Sequence, residues 1–134
     1  MATFASLAEA QTFFEGDRFA TLAGMKLDEL SETHAVCSMA VTPDHCNALG
    51  GVMGGAIFTL ADLASAVLAN HLHRPTVAQQ VSTSYLNSPR GSRLIAEAAC
   101  LKNGRTSIVL SVDVRDDTGR DVARLIFTSF KLNG

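Results

Sequence analysis

Apolar and polar positions alternate between two periods along this chain. Between about Leu7 and Phe14 the spacing is helical and predicts a short amphipathic helix, with Phe13, Phe14 and Phe19 as packing anchors. From Met25 to Val41 the period shortens. Leu27, Leu30, Ala35, Cys37, Met39 and Val41 predict two strands joined at Ser31-Glu32, and Pro43-Asp44 ends the second. A long helix is expected from about Val52 to Asn70, where Ile57, Leu60, Ala61, Ala64 and Leu68 form its core stripe. A second stripe carries Gly55, Phe58, Thr59, Asp62, Ser65, Ala66 and Ala69. Apart from Phe58 its residues are small enough to admit another backbone, so this face either meets a partner subunit or is solvated. After Pro75 the alternation returns, in runs from Thr76 to Leu86, Leu94 to Leu101, Thr106 to Val114 and Val122 to Leu132. Turn residues separate them: Asn87-Ser88-Pro89-Arg90-Gly91, Lys102-Asn103-Gly104-Arg105 and Asp116-Asp117-Thr118-Gly119. Successive hairpin-like connections imply an antiparallel sheet. One face of it would wrap the long helix, giving an α+β fold.

Composition narrows the class. The length of 134 residues suits one domain, residues 1–134, with a real core. Hydrophobic residues at 47% and charged residues at 18% exclude a disordered chain. A net charge of −2 implies no basic face for nucleic acid. No apolar run is read as a membrane span, and the start, MATFASLAEAQTFFEGD, lacks the basic leader of a secretory signal. Cys37, Cys46 and Cys100, odd in number and widely spaced, fit reduced thiols in a cytoplasm better than a disulfide scaffold. With no tryptophan and one tyrosine, an aromatic stacking platform for nucleotides or sugars is not expected.

The chemistry concentrates in HCNALGGVMGGAIFTLADLASAVLA, from His45 to Ala69. A glycine-rich loop opens into an apolar helix that one carboxylate, Asp62, interrupts. Bare N–H groups at a helix N-terminus favour negative charge, and Asp62 lies about two turns further on. A carboxylate in so apolar a helix is costly to bury unpaired and calls for a role. His45 and Cys46 are neighbours in sequence, which does not make a catalytic dyad, and His45 reads as a surface loop residue. Asp44, His45, Cys46, His71 and His73 match no known ligand spacing, so no metal is expected.

Asn47, Gly50, Gly54-Gly55, Phe58 and Leu60-Ala61-Asp62 resemble the N-x-x-G-x-x-H-G-G-x-x-F-x-L-A-D pattern of hot-dog-fold acyl-CoA thioesterases. The resemblance is closest to the phenylacetate-degradation, 4-hydroxybenzoyl-CoA thioesterase-like branch. The segments Tyr85 to Pro89, Lys102 to Thr106 and Asp117 to Gly119 also fall where that family has them. The resemblance implies a long central helix wrapped by a curved antiparallel sheet, and hydrolysis of an aryl- or medium-chain acyl-CoA to free acid and coenzyme A. The Gly54 N–H would polarise the thioester carbonyl. Asp62 would act as base or nucleophile, and Asn47 would orient the water or the carbonyl. Gly55, Met53 and Phe58 would border the acyl group, with Leu49 as a further wall. Arg90, Arg93, Lys102 and Arg105 would meet the phosphates of coenzyme A, and no cofactor beyond the substrate's own coenzyme A is implied. Asp62 and Gly54 of one site would come from different subunits of a homodimer or homotetramer. The chain departs from the pattern at Met53, where the family has His, and at Ala78, where relatives often carry Ser or Thr. At the second position Gln79 or Gln80 would assist, or nothing does. Two alternatives stand beside the thioesterase: a non-catalytic acyl-CoA-binding protein, and a hydratase or dehydratase, which the absence of His between Val52 and Asn70 disfavours.

Overall fold

The computed structural model describes residues 2–133. Helix α1 (Leu7–Phe14) is followed by a one-turn helix α2 (Arg18–Leu22), strands β1 (Met25–Leu30) and β2 (His34–Ala40), and a 3₁₀ turn at Pro43–His45. Helix α3 (Gly54–Leu72) precedes β3 (Thr76–Tyr85), β4 (Arg93–Asn103), β5 (Ser107–Asp116) and β6 (Asp121–Lys131). The strands form one six-stranded sheet in the order β1-β2-β4-β5-β6-β3, and every neighbouring pair is antiparallel.

One connection differs from the sequence expectation. Residues 86–92 do not close a hairpin: β3 pairs with β6 at one edge, and the chain crosses to β4, beside β2, in the interior of the sheet. The turn chemistry there was read correctly as non-strand, but local signals do not say which strand a segment returns to. Two aspartates fasten the crossover. Asp116 accepts from the N–H groups of Arg90 and Gly91, and Asp117 accepts from those of Ser92 and Arg93 and from the Ser92 hydroxyl. Gly91 is required at this junction, since a Cβ there would sit 1.7 Å from a carboxylate oxygen of Asp117.

The sheet's concave face holds α3. Inward residues Ala35, Cys37 and Met39 of β2, Ala96 and Ala98 of β4, and Leu110, Val112, Leu125 and Phe127 of β5 and β6 are fully buried against Leu60, Ala61, Ala64 and Leu68. The alanines beneath the helix let the two layers close. By length and composition α3 is long and apolar enough to span a membrane, contrary to the expectation that no segment is. In this fold that apolarity is spent on the core.

Helix α3 starts and ends two residues later than predicted. Val52 is held by a bridge to Cys46, and the Met53 N–H donates to the His45 carbonyl, so both belong to the loop. At the other end Asn70 is not a terminus. Its amide donates to the Ala66 and Thr76 carbonyls and its carbonyl accepts from the Thr76 N–H, lashing β3 to the helix. Of the predicted aromatic anchors, Phe14 is buried. Phe13 is half exposed, in contact with Phe4 and Phe14, and Phe19 stands in solvent. Phe4, buried and stacked on His71, does the anchoring expected of Phe19.

Candidate active site

The loop before α3 is held from within. The Asn47 side-chain carbonyl accepts from the N–H groups of Leu49 (3.0 Å) and Gly51 (3.2 Å), and its backbone N–H donates to the Gly51 carbonyl at 2.7 Å. Gly50 closes the turn at φ +91°, a conformation L-residues rarely adopt. The Asn47 oxygen is therefore committed to the loop, and its amide nitrogen is the group left to meet a substrate or water. His45 is buried, not a surface residue. One ring nitrogen contacts the Ala23 carbonyl at 2.7 Å and the other accepts from the Thr42 N–H at 3.0 Å, which fixes the orientation of the ring. Its role is to tie the loop to the end of α2.

Gly54 is the first residue of α3, and Met53 caps it without a side-chain hydrogen bond. Neither the Gly54 nor the Gly55 N–H has an acceptor among the described residues, as expected of the first turn of a helix. Glycine keeps the approach to them open. The Tyr85 ring crowds Gly54 on one side, and its hydroxyl donates to the Gly54 carbonyl at 3.0 Å.

Asp62 sits half-buried in the middle of the same helix, with no hydrogen bond or ion pair among the described residues. Burial, with a smaller contribution from the negative charge of Asp17, holds its carboxyl above the ordinary aspartate range. Two clefts flank it. One lies against Asp17, Phe19 and Phe58; the other lies against Thr76 and Ala78 of β3 and Ser129 of β6. Ala78 lines the same cleft as the carboxylate. Gln79 is the bulged residue between the paired Ala78 and Gln80, and both glutamines are exposed.

Gly54 opens instead onto a cleft with Tyr85 to Pro89, and Gly55, Met53 and Phe58 border an apolar cavity. Eight residues separate Gly54 from Asp62, roughly 12 Å along the helix axis. Gly55 lies on the same stripe of α3 as the carboxylate, but no cleft holds both an N–H donor and Asp62. The basic residues separate more widely. Arg90 is exposed in the crossover loop at the Tyr85 end of the sheet, while Lys102 lies at the end of β4 and Arg105 lies in the β4–β5 turn beside Thr106, whose carbonyl accepts from the Lys131 N–H at the far end. Arg93 is engaged, donating to the Ser38 hydroxyl at 2.7 Å. Sequence reasoning missed Asp17, Phe19 and Ser129. None carries a motif, and they reach the site only because α2 and β6 fold back over α3.

A curved antiparallel sheet around one long helix, with a glycine-started N-terminus and a mid-helix carboxylate, defines a hot-dog-fold protein. Residues 49–123, more than half of the chain, match the model of the thioesterase superfamily, and the chain belongs to that family. It is an enzyme of the thioester hydrolase class. It is 27% identical to the acyl-coenzyme A thioesterase PaaI of Escherichia coli, over 93% of this chain and 90% of that one. A putative esterase of Archaeoglobus fulgidus is 29% identical over 90% of this chain and 79% of its own. The solved structure of the Escherichia coli PaaI protein superposes with a TM-score of 0.88 at 26% identity, covering 93% and 91% of the two chains. A hypothetical thioesterase from Streptococcus pneumoniae, solved with coenzyme A, superposes at 0.81 with 27% identity, over 90% of this chain and 97% of its own.

Proposed function

We propose that the protein hydrolyses aryl- or medium-chain acyl-CoA thioesters, with the Gly54 N–H as oxyanion donor and Asp62 as general base or nucleophile. The observation that carries this reading is the pairing of unoccupied N–H donors with an unpaired, half-buried carboxylate on one helix. The donors meet negative charge as it develops on the thioester oxygen. A carboxylate held above its usual range is a stronger base than an exposed one. It either deprotonates a water that attacks the carbonyl carbon, or attacks it directly to give an anhydride that water opens. Both routes release the acid and the coenzyme A thiol.

The complete site takes two copies of the chain. If the exposed faces of two α3 helices lie antiparallel about a two-fold axis near Phe58, midway between Gly54 and Asp62, each copy's carboxylate meets the other's glycines. The outer edge of β3 has no partner strand among the described residues, and a second copy's β3 can extend the sheet there. Coenzyme A, a ligand of the Streptococcus pneumoniae neighbour, carries phosphates that Arg90 of one copy and Lys102 and Arg105 of the other can contact. Three unbridged cysteines suit a reducing compartment such as the cytoplasm.

Release of free thiol from a panel of aryl and alkyl acyl-CoAs, compared between the wild-type protein and Asp62→Asn, tests the reading. Turnover that falls by about 10²-fold or more in the variant supports it. A binding protein without turnover is the second reading, favoured by Met53, whose side chain supplies no polar group beside the Gly pair. Binding of acyl-CoA with no thiol release would establish that reading instead.

A further inference from the structure

We propose that Phe19 selects the acyl group, as the outer wall of a cavity between α2 and the first half of α3 that takes an uncharged, apolar acyl chain. This rests on the hydrolytic reading above and goes beyond it by assigning the acyl subsite and the residue that sets its size. The cavity measures about 520 Å³ and is lined chiefly by Phe19, Ala23, Met25, Met53, Phe58 and Tyr85. That volume lies within the ordinary range of small-molecule pockets, roughly 300–1,000 Å³. It borders Gly55, the residue next to the Gly54 donor, so an acyl chain extending from a carbonyl held at the first turn can enter it. The floor is Met25, buried at the start of β1, and His45, whose two ring nitrogens are already taken. No free hydrogen-bonding group is offered in the depth of the cavity by these residues. Asp44, at the edge, disfavours a chain ending in a carboxylate.

Phe19 occupies a particular place in this arrangement. It lines both the cavity and the smaller cleft that holds Asp62, as do Phe58 and Thr59. The ring therefore stands between the acyl space of one site and the carboxylate that serves the other. It is 77% exposed, unusual for phenylalanine, and rides on a five-residue helix whose N-cap, Asp17, makes no side-chain capping bond. An exposed aromatic on a weakly held turn can swing onto an acyl chain and gain burial only when the chain is present. The concavity beside the N–H donors argues for an acyl occupant.

The experiment measures kcat/KM by thiol release and Kd by calorimetry for butanoyl-, octanoyl-, dodecanoyl-, phenylacetyl- and glutaryl-CoA. Wild type, Phe19→Ala and Phe19→Trp are compared, with light scattering on each. The expected result is an optimum that moves to longer or bulkier chains in Phe19→Ala and to shorter ones in Phe19→Trp. The octanoyl-to-butanoyl ratio should change by about tenfold or more, the discrimination one or two methylenes supply in an apolar pocket. Glutaryl-CoA should be a poor ligand of the wild type. Turnover with an unchanged chain-length ranking in both variants would overturn the assignment of Phe19 and leave the hydrolytic reading intact. Binding that ranks with Phe19 but without turnover would overturn hydrolysis and keep the cavity. A smaller assembly in both variants, with ranking unchanged, would assign Phe19 to contact between copies and overturn the proposal.

Discussion

The Tyr85 hydroxyl donates to the Gly54 carbonyl across 3.0 Å, so the last residue of β3 is fastened to the first residue of the long helix. The same ring lies 3.1 Å from where a Cβ on Gly54 would be. The aromatic therefore fixes the helix start and forbids a side chain there without moving itself. Tyr85→Phe should cost about 0.5–1 kcal/mol, the low end for a hydrogen bond because the group is half exposed. Gly54→Ala should cost more in the wild type than in a Tyr85→Ala background. Thermal unfolding of the four proteins in a double-mutant cycle measures that coupling, and additive losses would show that the ring does not confine Gly54.

Asp62 separates function from stability. Its carboxyl has no partner and is held above the ordinary range by burial and by Asp17. A carboxyl with a raised folded-state pKa destabilises the native state when ionised, so wild-type stability falls as pH rises from about 4 through the raised pKa. Asp62→Asn removes that penalty. The variant should lose turnover yet melt at the same temperature as the wild type or a few degrees higher at pH 7, with the difference vanishing near pH 3. A variant that melts lower at pH 7 would show that Asp62 has a structural partner.

Asp17 acts on the same group across the cleft. It too is raised by burial, and the charged groups facing Asp62 from α2 are Asp17 and Arg18; Thr76, Ala78 and Ser129 on the other side are uncharged. Removing one negative charge lets Asp62 ionise more easily. The acid limb of kcat/KM in Asp17→Asn should therefore move to lower pH. The plateau rate should change by less than about tenfold, since Asp17 touches no reacting atom. An unmoved acid limb would show that the two carboxylates do not sense each other.

Much of this was legible in the sequence because periodicity reports burial. Ile57, Leu60, Ala61, Ala64 and Leu68 were read as a core stripe from their spacing, and all five are buried. The runs after Pro75 read as four strands in the same way, and β3 to β6 occupy them. What periodicity cannot carry is the destination of a segment. The crossover after Tyr85 has the residues of a turn but returns to β2's neighbour rather than to β3's. Its address is set by the carboxylates of Asp116 and Asp117, some 25 residues away in the chain. The position of Phe19 was misjudged for a related reason. Its helix is one turn long, too short for a period, and its ring faces a cavity instead of the core. His45, judged a surface residue, is buried by the Ala23 carbonyl at the end of a helix no local pattern connects to it.

Asp116 offers a test of that distant fastening. It is buried and accepts from the N–H groups of Arg90, Gly91, Thr118 and Arg120 and from the Thr118 hydroxyl, which together hold its carboxyl well below the usual range. A depressed folded-state pKa stabilises the native state above about pH 4 and loses that contribution as pH falls below it. Asp116→Asn should lower Tm by several degrees at pH 7 and by progressively less at acid pH. It should also increase amide exchange in residues 86–92 without changing the exchange of α3. Uniform exchange across the chain would mean that Asp116 supports the whole fold and not the crossover.

Sharing of the site between two copies gives a prediction that no single-chain site can meet. Gly54→Pro removes the N–H donor at the first helical position, where backbone conformation admits proline because Met53 is already extended, and the Tyr85 ring must shift by a few tenths of an ångström to make room for its Cβ. Gly54→Pro and Asp62→Asn should each be inactive alone. In a mixed dimer, however, one site combines the intact glycine of one chain with the intact carboxylate of the other. Refolding the two variants together at equal concentration should restore about a quarter of the wild-type activity, because half of the dimers are mixed and half of their sites are whole. If Gly54 and Asp62 of the same chain formed the site, every site in every mixed dimer would carry one defect and no activity would return. Thiol release before and after co-refolding decides between them, with light scattering to verify that the mixed assembly has formed.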